Sequence, residues 1–110
     1  MTTDSDYLFE LQAEMLSALS HPRRLMILKI LGTEKKTVGE IAQQAGIEMP
    51  NVSQHLRIMK AHGLVTSRRD GQAVYYQVGT PLIAECCELV RKAIVDDLEK
   101  KRMMIRKKNY

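Results

Sequence analysis

Two groups of side chains in this sequence have chemistry to offer. The first lies between Pro50 and His62, where Asn51, Ser53, Gln54 and Arg57 are set among apolar residues. A helix advances about 100° per residue, so Val52, Leu56 and Met59 fall on one side while Ser53, Gln54 and Arg57 fall on the other. The outward side then offers hydroxyl, amide and guanidinium groups, the types that read base edges: Gln54 suits adenine, and Arg57 suits guanine or a phosphate. Farther on, Arg68 and Arg69 precede the dipeptide Asp70-Gly71, and Gln72 follows it. Donors on such a turn suit a sugar-phosphate backbone or an adjacent minor groove.

The second group is Cys86-Cys87, two soft ligands suited to a trivalent metalloid or a soft metal ion. Adjacent Cα atoms lie about 3.8 Å apart, below the roughly 4.4 Å that a disulfide needs, so a bond within the pair is strained. Both cysteines fall in an apolar stripe, and the preferred reading is two small buried hydrophobes at a dimer interface. The alternative is that four thiols meet where two copies join and respond to a thiol-reactive inducer, which would be a metalloid, a soft metal or an oxidant. His21, His55 and His62 have no thiol or carboxylate at ligand spacing. His55 flanks the buried face of its helix and His62 ends it, so packing or capping roles are expected. No nucleophile with a base, phosphate-cradling glycine loop or carboxylate pair is present, and no enzymatic activity is expected.

The elements that position these residues follow from periodicity and stop signals. Tyr7 to Leu19 carries Leu8, Leu11, Met15, Ala18 and Leu19 at helical spacing. Pro22 suits the first turn of a second helix, Arg23 to Leu31, with Leu25, Ile27, Leu28 and Leu31 as its apolar face and Gly32 as its stop. Thr37 with Glu40 forms a capping-box pattern that opens a third helix through Gln44. Ala42 suits a close helix crossing, Gly46 a left-handed turn, and Pro50 the start of the fourth helix. Leu64 to Val78 reads as a hairpin turning at Asp70-Gly71. From Thr80 a long helix shows Leu82, Cys86, Leu89, Val90, Ala93, Ile94 and Leu98 in a stripe. The predicted fold is mainly α with a small β-hairpin, a winged helix-turn-helix in the order ααααββα. Leu8, Leu11 and Met15, with Leu82, Cys86, Leu89, Val90 and Ala93, need covering, and a second copy is the simplest cover.

A chain of 110 residues with 45% apolar content has the length of one domain, so 1–110 is read as a single unit with residues 1–6 and 107–110 flexible. Net charge is +4, but residues 1–20 carry only the acids Asp4, Asp6, Glu10 and Glu14. The positive charge therefore lies outside the first helix and suits a polyanionic partner. The acidic N-terminus does not resemble a secretory signal, and no apolar run approaches a membrane span. A cytoplasmic protein without a membrane partner is expected. The basic stretch Lys100 to Lys108 reads as a solvated helix end rather than a further phosphate contact.

Five segments in order resemble the ArsR/SmtB family of metal- and stress-responsive repressors. They are Leu19-Ser-His-Pro-Arg-Arg-Leu-Met-Ile-Leu28, Val38-Gly-Glu-Ile-Ala42, Val52-Ser-Gln-His-Leu56, Gly63-Leu-Val65 and Arg68-Arg-Asp-Gly-Gln-Ala-Val-Tyr-Tyr76. The resemblance covers roughly residues 11–98. It implies a homodimer joined through the first and last helices, a recognition helix near Pro50 to His62, double-stranded operator DNA as partner, and repression relieved by an inducer. The family's thiolate site on the third helix is missing, since Thr37-Val38-Gly39 stands there. Its zinc site on the last helix is missing too, with Thr80, Leu82, Ala93 and Asp96 at the matching positions. Where sulfide-sensing members carry a second-helix cysteine, this chain has Lys29. Cys86 and Cys87 remain the candidate inducer site, because some members sense arsenite through cysteines near this end. Two competing readings stand beside it: a constitutive or non-metal-responsive repressor, and a protein-interaction module, which would present an apolar or acidic face where Ser53, Gln54 and Arg57 lie.

Overall fold

A computed structural model describes residues 4–108, and the outermost parts of the expected flexible ends, residues 1–3 and 109–110, lie outside it. Helix α1 spans Asp4–Leu19 and α2 spans Pro22–Leu31. Helix α3 is Val38–Ala45 and α4 is Met49–Ala61. Strands β1, Val65–Asp70, and β2, Ala73–Val78, form the hairpin, and α5 runs from Pro81 to Lys108. This is the winged helix-turn-helix order expected from the sequence, although α1 begins at Asp4, one turn earlier than its apolar spacing suggests.

Local chemistry accounts for the boundaries. The His21 side chain caps α2 by accepting from the Arg23 amide, and Pro22 occupies the first turn. Both halves of the Thr37/Glu40 capping box are formed at α3. Gly46 takes the left-handed conformation, φ 68°, that lets the chain turn from α3 into α4. In the hairpin, Asp70 pairs with Ala73, which makes Gly71-Gln72 the two-residue loop, one residue beyond the expected Asp70-Gly71. Gly71 has φ 65° while Gln72 does not have a positive φ, the pattern of a type II′ turn. A short bridge that no local sequence signal announces joins Lys36 to Tyr76 through reciprocal backbone hydrogen bonds of 2.9 and 2.8 Å. It ties the loop before α3 to the hairpin.

The core lies between α2, α3, α4 and the base of the hairpin, where Ile27, Leu31, Ile41, Val52, Leu56, Met59, Leu64 and Val65 are fully buried. Ala42 is buried where α3 meets α4, as its small size predicts. Leu25, expected in the apolar face of α2, is instead exposed. At the edges of the core, only Ala18 and Leu19 of α1 are buried, and α5 contributes Ile83 with Cys87 packed against it. Among the described residues, most of the remainder of both helices is exposed. The radius of gyration is 17.7 Å, against about 13 Å for a compact chain of this length. The surface of 8583 Å² likewise exceeds the about 6,200 Å² expected for a compact monomer of this mass.

Candidate nucleic-acid interface

The core seats α4 so that its buried side is Val52, Leu56 and Met59, leaving the opposite side to solvent. Pro50, Ser53, Gln54 and Arg57 line one shallow depression on that side. Asn51 is also exposed, but it lies about 60° around the helix from Gln54, at the edge of the group rather than within it. Among the described residues, Ser53, Gln54 and Arg57 make no side-chain hydrogen bond within the protein. Their donors and acceptors are therefore free for an external partner.

The hairpin divides its two arginines. Successive residues of a strand face opposite sides, so Arg69 shares a face with Ser67 and Arg68 is on the other, opposite Tyr75. Lys60 at the end of α4 reaches Ser67 Oγ at 2.6 Å, which fixes that face of the hairpin to the exposed helix. On the Arg68 face, Lys35 stands 5.0 Å from the centre of the Tyr75 ring, a cation–π contact that adds a positive charge beside the wing. Lys35 carries no local signal in the sequence, because only the pairing register brings its loop to Tyr75. Gln72 is exposed at the tip.

A polar joint holds α4 from behind. The Arg24 guanidinium donates through Nε to His55 Nδ1 at 3.2 Å and through Nη1 to the Ala18 carbonyl at 3.0 Å. The rings of His21 and His55 lie 4.6 Å apart. Burial, and then the positive surroundings of His21, Arg24 and Arg23, hold the His55 pKa below its ordinary value. His55 thus packs and accepts a hydrogen bond, while His62 Nδ1 lies 3.0 Å from the Ile58 carbonyl at the helix end.

The two cysteines, expected on one stripe, are separated by the roughly 100° step between neighbours in a helix. Cys86 is exposed, and Cys87 turns toward the core. Burial, then Cys86 and Glu88, push the Cys87 thiol pKa up, so it is held neutral. Among the described residues of one chain, no three His, Cys, Asp or Glu side chains are placed to hold a metal ion together. No described helix is long and apolar enough to cross a membrane.

A helix-turn-helix domain family model matches residues 19–68, from the end of α1 to the first wing arginine. An HTH-type transcriptional regulator of Mycobacterium tuberculosis is 38% identical over 92 residues, 83% of this chain and 81% of the relative. A "probable mercury resistance operon repressor" of Streptomyces lividans is 36% identical over 85 residues, 77% of this chain and 68% of the relative. Among solved structures, a homodimeric winged helix-turn-helix DNA-binding domain from Mycobacterium bovis, a possible ArsR-family regulator, superposes with a TM-score of 0.82 at 30% identity. That alignment covers 91% of this chain and 93% of the other.

Proposed function

The chain belongs to the winged helix-turn-helix transcriptional regulators of the ArsR/SmtB type, and we propose that it represses transcription by binding a two-fold symmetric operator as a homodimer. The observation that carries this reading is the trio Ser53, Gln54 and Arg57, exposed on one side of α4 and unengaged by the rest of the protein. Helix α4 enters the major groove, Gln54 takes adenine, and Arg57 takes guanine or a phosphate. Asn51 reaches the groove edge, and Arg68, Arg69 and Gln72 hold the wing on the backbone or in the adjacent minor groove. Two such helices meet successive grooves about 34 Å apart.

The exposed faces of α1 and α5 support the dimer. The protomer shows roughly 2,400 Å² more surface than a compact monomer of its mass, and a standard interface covers about 800 Å² per partner. Leu8, Leu11 and Met15 of α1 are exposed, as are Leu82, Cys86, Leu89, Val90 and Ala93 of α5. The chain acts as a single domain, in the cytoplasm where the DNA is, and its activity is binding rather than catalysis.

A second reading concerns an inducer. Cys86 is exposed on the α5 face assigned to the dimer, so a thiophilic metalloid or metal would bridge one Cys86 from each protomer, with Cys87 excluded by its inward packing. The test of both readings is an anisotropy titration of the DNA upstream of the protein's own gene, with and without arsenite. Specific binding lost in Arg57→Ala supports the docking, and wild-type affinity in that variant overturns it. Release by arsenite that Cys86→Ser abolishes supports the thiol site, and release unchanged in Cys86→Ser removes it.

A further inference from the structure

Between α2 and α5 lies a cavity of about 200 Å³, lined by Leu25, Leu28, Gly32, Ala84 and Cys87, with Lys29, Glu88 and Arg91 at its polar side. The walls are mostly apolar. Lys29 Nζ meets Glu88 Oε1 at 2.8 Å, and among the described residues this is the one side-chain ion pair joining α2 to α5. Two cations and one carboxylate line the polar side, with Lys92 close to Glu88 and with Glu85 beside Gly32 and Ala84 in the adjoining depression. The hydrogen bond from Lys29, then the charges of Lys29, Arg91 and Lys92, hold the Glu88 carboxyl below the usual carboxylate range.

We infer that this cavity binds a small carboxylic acid with a short apolar body, whose carboxylate takes the place of Glu88 at Lys29. The site already holds one carboxylate, supplied by the chain itself on an exposed side chain that can swing into solvent. An external carboxylate gains the same Lys29 contact together with Arg91, and its apolar part gains the Leu25, Leu28 and Ala84 walls. The neutral, partly buried Cys87 thiol serves as wall rather than nucleophile. On the repressor reading above, losing the Lys29–Glu88 link lets α5 shift against α2. Because α5 carries the proposed dimer contact, that shift changes the spacing of the two recognition helices and lowers operator affinity.

The test is an NMR titration of the full chain without DNA, using sodium hexanoate and sodium benzoate, with 1-hexanol and benzyl alcohol as uncharged controls. Saturable shifts at Leu25, Leu28, Ala84 and Cys87 with an acid, and not with its alcohol, are expected. Lys29→Ala should weaken that binding about tenfold or more, and Glu88→Gln, which removes the internal competitor at constant shape, should tighten it. No saturable shift with either acid, equal response to the alcohols, or unchanged affinity in Lys29→Ala overturns the site. Operator affinity at saturating hexanoate should fall several-fold, and an unchanged affinity overturns the regulatory role. Failure to bind operator at all would count against the repressor reading, while the DNA-free titration would still decide the ligand site.

Discussion

Arg24 and His55, 31 residues apart in sequence, meet at 3.2 Å, and the same guanidinium reaches the Ala18 carbonyl at 3.0 Å. One side chain therefore ties the end of α1 and the start of α2 to the middle of α4, the helix that presents Ser53, Gln54 and Arg57. Replacing Arg24 by Ala leaves a partly buried imidazole nitrogen and a carbonyl without their donor, which costs about 1–3 kcal/mol. Arg24→Ala should unfold at a lower denaturant concentration with an unchanged slope, and it should bind operator more weakly although it touches no DNA in the proposed docking. Wild-type values for both would show that α4 is seated by the apolar core alone.

The same joint makes stability pH-dependent. His55 accepts from Arg24 at Nδ1, so it must be unprotonated there, and its folded pKa lies below the ordinary value for a histidine. Between the folded pKa and the unfolded value near 6.5, the unfolded state binds more protons. The contribution of His55 is therefore fully present above the unfolded value and is lost as pH falls through the folded one. The charged groups facing it are His21, Arg23 and Arg24, all of which oppose its protonation. Urea midpoints at pH 7.5 and pH 5 should fall farther for wild type than for His55→Gln. Equal falls would assign the acid sensitivity to other groups.

The sequence foretold much of this architecture because its signals are local. Thr37 and Glu40 act across three residues, Gly46 acts alone, and the α4 periodicity is contained within α4 itself, so α3, α4 and the exposed trio were legible. What escaped depends on contacts between distant segments. Nothing near Lys35 indicates that its loop bridges to β2 and lands beside Tyr75, and nothing near Arg24 announces His55. In the sequence, a stripe wide enough for Leu82, Leu89 and Val90 also admits both cysteines. Only the seating of α5 on Ile83 shows that Cys87 turns inward while Cys86 turns out.

Gly79 supplies a sharper packing test. Its amide donates to the Leu64 carbonyl at 2.9 Å, and a Cβ built on it would run into the Gly63 carbonyl. That obstacle is backbone, so the clash cannot be relieved by rotating a side chain. Gly79→Ala must part the end of β2 from the turn after α4, at a cost of about 1–3 kcal/mol. Because this crossing also starts α5, hydrogen exchange should quicken in both the hairpin and the first turns of α5. Unchanged exchange would mean that the crossing relaxes freely.

The wing and the helix should fail differently on DNA. Arg68 and Arg69 face opposite sides of the hairpin, so each is expected to make its own phosphate contact. Loss of that contact weakens all sequences alike and reduces the salt dependence of binding by about one counterion. Loss of Gln54 instead costs about 1–3 kcal/mol on operator and little on unrelated DNA. Salt titrations of Arg68→Ala, Arg69→Ala and Gln54→Ala on both DNAs separate these outcomes. If Gln54→Ala weakened both DNAs equally, α4 would not be the reading element.

The dimer prediction rests on α5. Its 28 residues span about 42 Å, yet Ile83 and Cys87, within the first two turns, are the residues that join the core. Leu89 and Leu98 stay 65% and 59% exposed, and a row of such side chains in water is unfavourable by about 25 cal/mol for each Å² of apolar surface. Covering them with a second copy places charge at position 89 in the middle of an apolar contact, where it cannot be solvated. Leu89→Asp should therefore sediment as a monomer at concentrations where wild type is a dimer. Its far-UV circular dichroism should keep the helical signal of the core, since Leu89 contributes nothing to it. Operator affinity should fall by orders of magnitude, because two tethered half-site contacts become two independent ones. A Leu89→Asp protein that remained dimeric would move the interface away from this face of α5.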